Sequence, residues 1–347
     1  MSTAGDADPA VGPVEAAVLA ELARDAPGGL RSEMSDQPGT LGGFPDPPAA
    51  DCARQAELRP RVPPAGRGAL RLLRGGGAPG RGETVVLLHG RGHAAPIWFP
   101  CWPALAARHA LLAIDLPGFG QSSAPALSAG RRFDAEMALA AFVDPIEACL
   151  SAEVAAGRAP GLALVGHSLG GLVALELALR ARLPVRRLVL IDAMGLGPAM
   201  TGAGRVFFRL HPERLLRWLG PRLFGRLNPS PPTPLGRRVA ALELELLAAP
   251  TAAPARAVAA RAFDALCPLF RPVFQRGARL AEIAAPAFLL WGERDAALPP
   301  ALCAAACAEL RAAQSLILPY GHSPHLDAPD QALPPLLDFL AAGAPRG

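Results

Sequence analysis

The chain has 347 residues and is 51% hydrophobic, enough for one large domain, or a core with an insertion, around a sizeable buried core. All 34 basic residues are Arg; without Lys, Schiff-base and Ser-Lys chemistry are excluded. The formal net charge of +4 comes without a basic cluster interleaved with aromatics, so no nucleic-acid partner is expected.

Residues 1–82 contain 11 Pro and 14 Gly, and residues 1–68 read as a largely disordered N-terminal extension. A short helix over Val14 to Arg24, with Val14, Val18 and Leu22 on one face, is the exception, and Met34 offers a second start of translation. The first residues lack a basic region followed by an apolar run, so no signal peptide and a cytoplasmic location are expected.

Ala69 to Leu73 reads as an edge strand. Thr84 to Leu88 and Ala110 to Ile114 read as central strands, with helices over Pro103 to Arg108 and Asp134 to Ala155. The stretch Ala159 to Leu175 carries no Asp, Glu or Arg, but its glycines favour a strand, a turn and a helix over a membrane span. At its centre lies Gly166-His167-Ser168-Leu169-Gly170, the order that a nucleophile elbow needs. The turn forces strained backbone angles on the serine and leaves no room for side chains on the flanking glycines. It also sets Ser168 at a helix N-terminus, where free N–H groups can steady an oxyanion.

Val185 to Ile191 is the next strand. From Gly195 to Ala278 the strand signal stops, and amphipathic pieces over 205–219, 234–247 and 254–266 are broken by Pro. The alternation then resumes with strand 287–290, helix 300–312, strand 315–318 and helix 331–340. Asp295 follows one of these strands and Gly321-His322 the other. A serine needs a base to take its proton and a carboxylate to orient that base, and Ser168, Asp295 and His322 stand in the order Ser, acid, His.

Four segments together carry a resemblance over about residues 56 to 342: Leu87-Leu88-His89-Gly90, Asp115-Leu116-Pro117-Gly118-Phe119-Gly120-Gln121-Ser122, the elbow, and the Asp295 and His322 loops. The chain resembles the α/β-hydrolase superfamily, in particular serine hydrolases of the esterase and lipase type. The resemblance implies an α/β fold with a mostly parallel central sheet flanked by helices. It implies core segments 69–194 and 279–347, and a helical cap inserted over 195–278. It also implies Ser168 as nucleophile, His322 as base and Asp295 as acid, with the backbone N–H groups of Arg91 and Leu169 as the oxyanion hole.

Alternatives stay open at several positions. Asp192, after strand 185–191, is a second placement for the acid, and His325 a second placement for the base. His89 is expected to brace the oxyanion loop, His167 to pack beside the nucleophile, and Asp115 to hold a structural turn. Trp98, Phe99 and Trp102 either line the substrate pocket or belong to the core. Phe207 and its neighbours, with Leu215, Leu216 and Trp218, form an acyl pocket, touch lipid, or pack cap against core.

The expected reaction is hydrolysis of a carboxylic ester or related acyl compound with a small apolar substrate, through an acyl-enzyme, requiring no metal and no organic cofactor. Hydrolysis of a carbon-carbon bond and acyl transfer use the same three residues, although His89-Gly90-Arg91-Gly92-His93 lacks the Ser-Gly-Pro-Gly look of the carbon-carbon hydrolases. A non-catalytic ligand-binding protein is the reading from another class, and loss of a triad residue is its expected mark. The six cysteines have no metal-site or disulfide spacing.

Overall fold

The computed structural model describes residues 30–35, 69–77, 80, 82–125, 127, 134–210, 233–248 and 253–342. Their centre is an eight-stranded sheet in the order β1-β2-β4-β3-β5-β6-β7-β8. The strands are β1 (Leu30–Ser35), β2 (Leu70–Gly76), β3 (Glu83–Leu88), β4 (Ala110–Ile114), β5 (Gly161–His167), β6 (Val185–Ile191), β7 (Ala287–Gly292) and β8 (Ala313–Leu318). β1 and β2 pair antiparallel, as do β2 and β4; every later pairing is parallel.

Two expectations are corrected here. The strand at 69–73 is interior, because Leu30 to Ser35 pairs along it as a further strand. That edge strand lies inside the segment read as largely disordered. Its sequence, Leu-Arg-Ser-Glu-Met-Ser, has too little apolar content to signal a strand, and its pairing is supplied by β2. The proposed helix over 14–24 lies outside the described residues.

Helices α1 (Trp102–Ala106), α2 (Ala135–Ala155), α3 (Leu169–Arg180), α7 (Ala301–Glu309), α8 (Pro324–Asp327) and α9 (Pro329–Ala341) accompany the sheet, while α4 (Gly202–Arg209), α5 (Pro234–Ala248) and α6 (Ala253–Leu266) lie between β6 and β7. No strand interrupts β6 to β7 among the described residues. The helical segment expected over 205–219 ends at Arg209, and 211–232, with Leu215, Leu216 and Trp218, lie outside the description.

The central strands are apolar on both faces, as parallel strands covered on both sides must be. Val86, Leu88, Leu164, Leu188 and Leu190 share one core with Phe142 and Val173 from α2 and α3. Val85, Leu87, Val165, Val189 and Ile191 face the other way, onto Trp98, Trp102 and the Leu336 to Leu340 stretch of α9. Strand order reverses at β3, with β4 on one side and β5 on the other. A crevice outside the carboxyl ends of the strands at such a switch point is where ligands bind in open α/β sheets.

Candidate active site

Ser168 follows β5 with φ 53° and ψ −114°, a left-handed conformation that a residue with a side chain adopts only under constraint. The constraint is visible in the hydrogen bonds: Ser168 N donates to Ile191 O at 3.0 Å, and Ser168 O accepts from Gly171 N and Met194 N, both at 3.0 Å. The flanking glycines are obligatory. A Cβ on Gly170 would stand 2.2 Å from Leu88 O, and one on Gly166 would stand 2.4 Å from Gly170 O.

The two later loops reach this serine. His322, between β8 and α8, places Nε2 3.0 Å from Ser168 Oγ. Its Nδ1 lies 2.7 Å from Asp295 Oδ2. The other carboxylate oxygen, Asp295 Oδ1, accepts from Ala297 N at 2.7 Å and Leu298 N at 3.0 Å, so the carboxylate is fixed in rotation. Burial works against the charge of Asp295, but the hydrogen bond and charge of His322 and the two amides outweigh it and hold the carboxyl below its ordinary range.

Asp192, the other placement weighed for the acid, is fully buried at φ 40° beyond β6. Its Oδ1 accepts from Gly292 N at 2.9 Å. Burial, reinforced by the neighbouring charge of Asp295, pushes its carboxyl well above the usual range. Asp192, Asp295 and His322 present polar atoms within 4.8 Å of one another. They are poorly suited to a metal: Asp295 and His322 spend those atoms on each other, and burial disfavours the charge that Asp192 would need as a ligand.

His325 does not approach the serine through any described hydrogen bond. It is buried, stacked on Trp98 with ring centres 4.8 Å apart, and burial together with His93 and His322 lowers its pKa to about 3. Trp98 and Trp102 are core residues on the face opposite α2 and α3, and Phe99 packs with them. The core alternative describes all three. The Phe207 side chain lies outside the description. Next to it, Phe208 is buried against Phe263 of α6, with ring centres 5.2 Å apart.

The loop after β3 runs beside the elbow. A Cβ on Gly90 would lie 3.1 Å from Ser168 Cβ, which sets this loop next to Ser168. His89 fixes this loop from beneath, its Nδ1 donating to Gly90 O at 2.8 Å and its Nε2 accepting from Leu116 N at 2.8 Å. Asp115 holds the turn after β4, accepting from Ala95 N at 2.6 Å and Gln121 N at 2.9 Å beside buried Arg71 at 3.5 Å. Leu169 opens α3, and the first N–H groups of a helix have no partner within it.

The pattern of the alpha/beta hydrolase family matches residues 85–333, which includes every residue of this constellation. The chain belongs to the alpha/beta hydrolase family. Among curated proteins it is similar to the dihydrolipoyllysine-residue acetyltransferase component of the acetoin cleaving system of Pseudomonas putida, 38% identical over 133 residues, 38% of this chain and 33% of the relative. It is also similar to the pimeloyl-[acyl-carrier protein] methyl ester esterase of Aeromonas hydrophila subsp. hydrophila, 41% identical over 100 residues, 29% of this chain and 34% of the relative. The matched stretch thus spans about a third of the length of either relative. Among solved structures it is similar to a bacterial membrane phospholipase A, with 27% identity, a TM-score of 0.59, and coverage of 78% of this chain and 82% of that one.

Two features of this hydrolase were not legible in its sequence. His167 does more than pack beside Ser168: Nε2 donates to His322 O at 2.8 Å, tying the elbow to the loop that carries His322, and burial holds its pKa well below the ordinary value. Glu243 of α5 reaches the loop after β3, 2.8 Å from His93 Nδ1. No sequence spacing announces either contact, since the partners are 155 and 150 residues apart. A groove of about 320 Å³ lined by Ala104, Arg108, Pro329 and Leu333 contains none of these site residues. Among the described residues no helix is long and apolar enough to cross a membrane.

Proposed function

We propose that this hydrolase cleaves a carboxylic ester or closely related acyl substrate by a serine acyl-enzyme mechanism. The observation that carries the reading is the unbroken hydrogen-bond line from Ser168 Oγ through His322 to Asp295, at 3.0 Å and 2.7 Å. Serine at its free pKa is a weak nucleophile, and this line is what activates it. Asp295 accepts from His322 Nδ1 and so leaves Nε2 as the basic nitrogen facing Ser168. The serine oxygen forms a bond to the acyl carbon while its proton passes to His322 Nε2. The developing oxyanion lies between the N–H groups of Arg91 and Leu169. His322 then returns the proton to the leaving alkoxide, releasing the alcohol, and afterwards takes one from water as that water attacks the acyl-enzyme and frees the acid.

The cap lies over 195–278, and α4, α5 and α6 are its described helices. The similar proteins, an acetyltransferase component, a methyl ester esterase and a phospholipase, share acyl-group chemistry by name and support this class of substrate.

The test is labelling of the purified chain by a fluorophosphonate beside Ser168→Ala and His322→Ala, followed by a p-nitrophenyl ester chain-length series. Labelling and turnover that vanish in both variants are expected. A folded wild-type protein that neither labels nor turns over an ester of any chain length overturns the reading.

A further inference from the structure

Arg91 and His93 flank Gly92 in the loop that follows β3, and both side chains end on the helices inserted between β6 and β7. The Arg91 guanidinium is buried, lying 5.5 Å from the ring centre of Phe208 in α4 and 4.9 Å from that of Phe263 in α6. On the other side, His93 Nδ1 is 2.8 Å from Glu243 Oε2 of α5, and Glu243 Oε1 accepts from Ala94 N at 3.4 Å. One short loop beside the nucleophile is therefore held by all three described helices of the insertion. Cation-ring contacts hold it at one end and a buried carboxylate at the other.

The joint is nearly free of voids. The cavity between Gly92, His93, Glu243, Leu246 and Arg256 measures about 10 Å³, room for at most one water. Glu243 is itself buried, so the sequence places a carboxylate where it has little solvent and meets the loop instead. Burial opposes a charge on His93, but the charge and hydrogen bond of Glu243 outweigh it and raise its pKa, which favours a charged pair.

From this geometry we infer that Glu243 and His93 are positioning residues for the oxyanion hole, so that the seating of the cap helices sets the position of the Arg91 N–H. The inference rests on the proposed role of that N–H in ester hydrolysis. The cap helices and the oxyanion loop are one mechanical unit: a cap displaced from the loop takes the donor out of line while the Ser168, His322 and Asp295 line, built on β5, β7 and β8, stays intact. Transition-state stabilisation then falls with little change in ground-state binding.

Glu243→Gln is the direct test. Its amide oxygen still serves Ala94 N, but its NH₂ faces His93 Nδ1 in place of a charge. The measurements are kcat and KM for a p-nitrophenyl ester and the inhibition constant of phenylboronic acid, a tetrahedral transition-state mimic. The expected result is a fall in kcat of about 10-fold or more, since a displaced donor loses part of the 10²–10³ that a deleted one costs. KM should stay within about twofold and phenylboronic acid should weaken in proportion to kcat. His93→Ala should behave alike, whereas His93→Asn, whose side-chain NH₂ sits where Nδ1 sits, should restore most of the activity.

Kinetics of Glu243→Gln and His93→Ala equal to wild type would overturn the inference. So would a loss shared equally by kcat, KM and melting temperature without rescue by Asn, the mark of a purely structural contact. These outcomes are separable from a failure of the hydrolase reading, in which wild type itself shows no labelling and no turnover.

Discussion

Replacing Asp295 by Asn tests the assignment of the acid, because the structure dictates how the amide must sit. Asp295 Oδ1 accepts from two amides, Ala297 N at 2.7 Å and Leu298 N at 3.0 Å. An NH₂ group there would face two donors, so the amide oxygen must take that position and the NH₂ must take the place of Oδ2, 2.7 Å from His322 Nδ1. His322 then has to accept at Nδ1, which puts its proton on Nε2, 3.0 Å from Ser168 Oγ. A protonated Nε2 cannot take the serine proton. The wrong tautomer in a triad of this kind costs about 10⁴ in kcat, equivalent to about 5 kcal/mol of barrier. The fold should tolerate the change, since shape and the two amide bonds are kept. The assay is turnover of a p-nitrophenyl ester, with burst kinetics to separate acylation from deacylation and Asp192→Asn alongside. An Asp295→Asn enzyme within tenfold of wild type, with the large loss in Asp192→Asn instead, would refute the reasoning and move the acid to β6.

Asp192→Asn is expected to leave kcat within about threefold, because burial already disfavours the charge on the carboxyl it replaces and Gly292 N keeps its acceptor. Its effect is on stability. The folded pKa lies above the unfolded one, so wild type holds full stability below the unfolded pKa and loses it as pH rises toward the folded one. Urea midpoints should therefore favour the variant increasingly as pH rises above the ordinary Asp value of about 3.9, and parallel midpoints would contradict a raised Asp192 pKa. His325 works in the opposite direction. With its folded pKa at about 3 against an ordinary 6.5, stability is intact above 6.5 and is lost as pH falls. Wild type should lose about 2 kcal/mol between pH 7 and pH 5 from this group, and denaturation of His325→Phe should lack that component. Gly90→Ala would press a Cβ to 2.8 Å from His167 Nδ1, whose ring is tied to His322 O. A fall in kcat of about 10²-fold with a modest drop in melting temperature is expected, and unchanged kcat would show that the loop after β3 can shift freely.

The sequence by itself determined the α/β alternation and the elbow, because both are local: apolar runs of strand length, helix-length pieces between them, and glycines beside Ser168 where a side chain has no room. It also put Asp295 and His322 in loops after strands, where the sheet topology brings such loops to one edge. The family order favoured Asp295 as the acid, but Asp192 stayed open as an alternative, since both follow strands that end at that edge. What separates their environments is tertiary: two amides and His322 stabilise the charge on Asp295, whereas burial beside that charge pushes the carboxyl of Asp192 up. Nor could the sequence find β1, whose polar sequence becomes a strand only through the free edge of β2. The contacts between α5 and the loop after β3 were beyond its reach for the same reason. A carboxylate at 243 on an amphipathic helix reads as a solvated residue until the fold sets that helix against His93, 150 residues away. Local sterics and hydrophobic periodicity are written along the chain; charge states and long-range hydrogen bonds depend on what burial brings together.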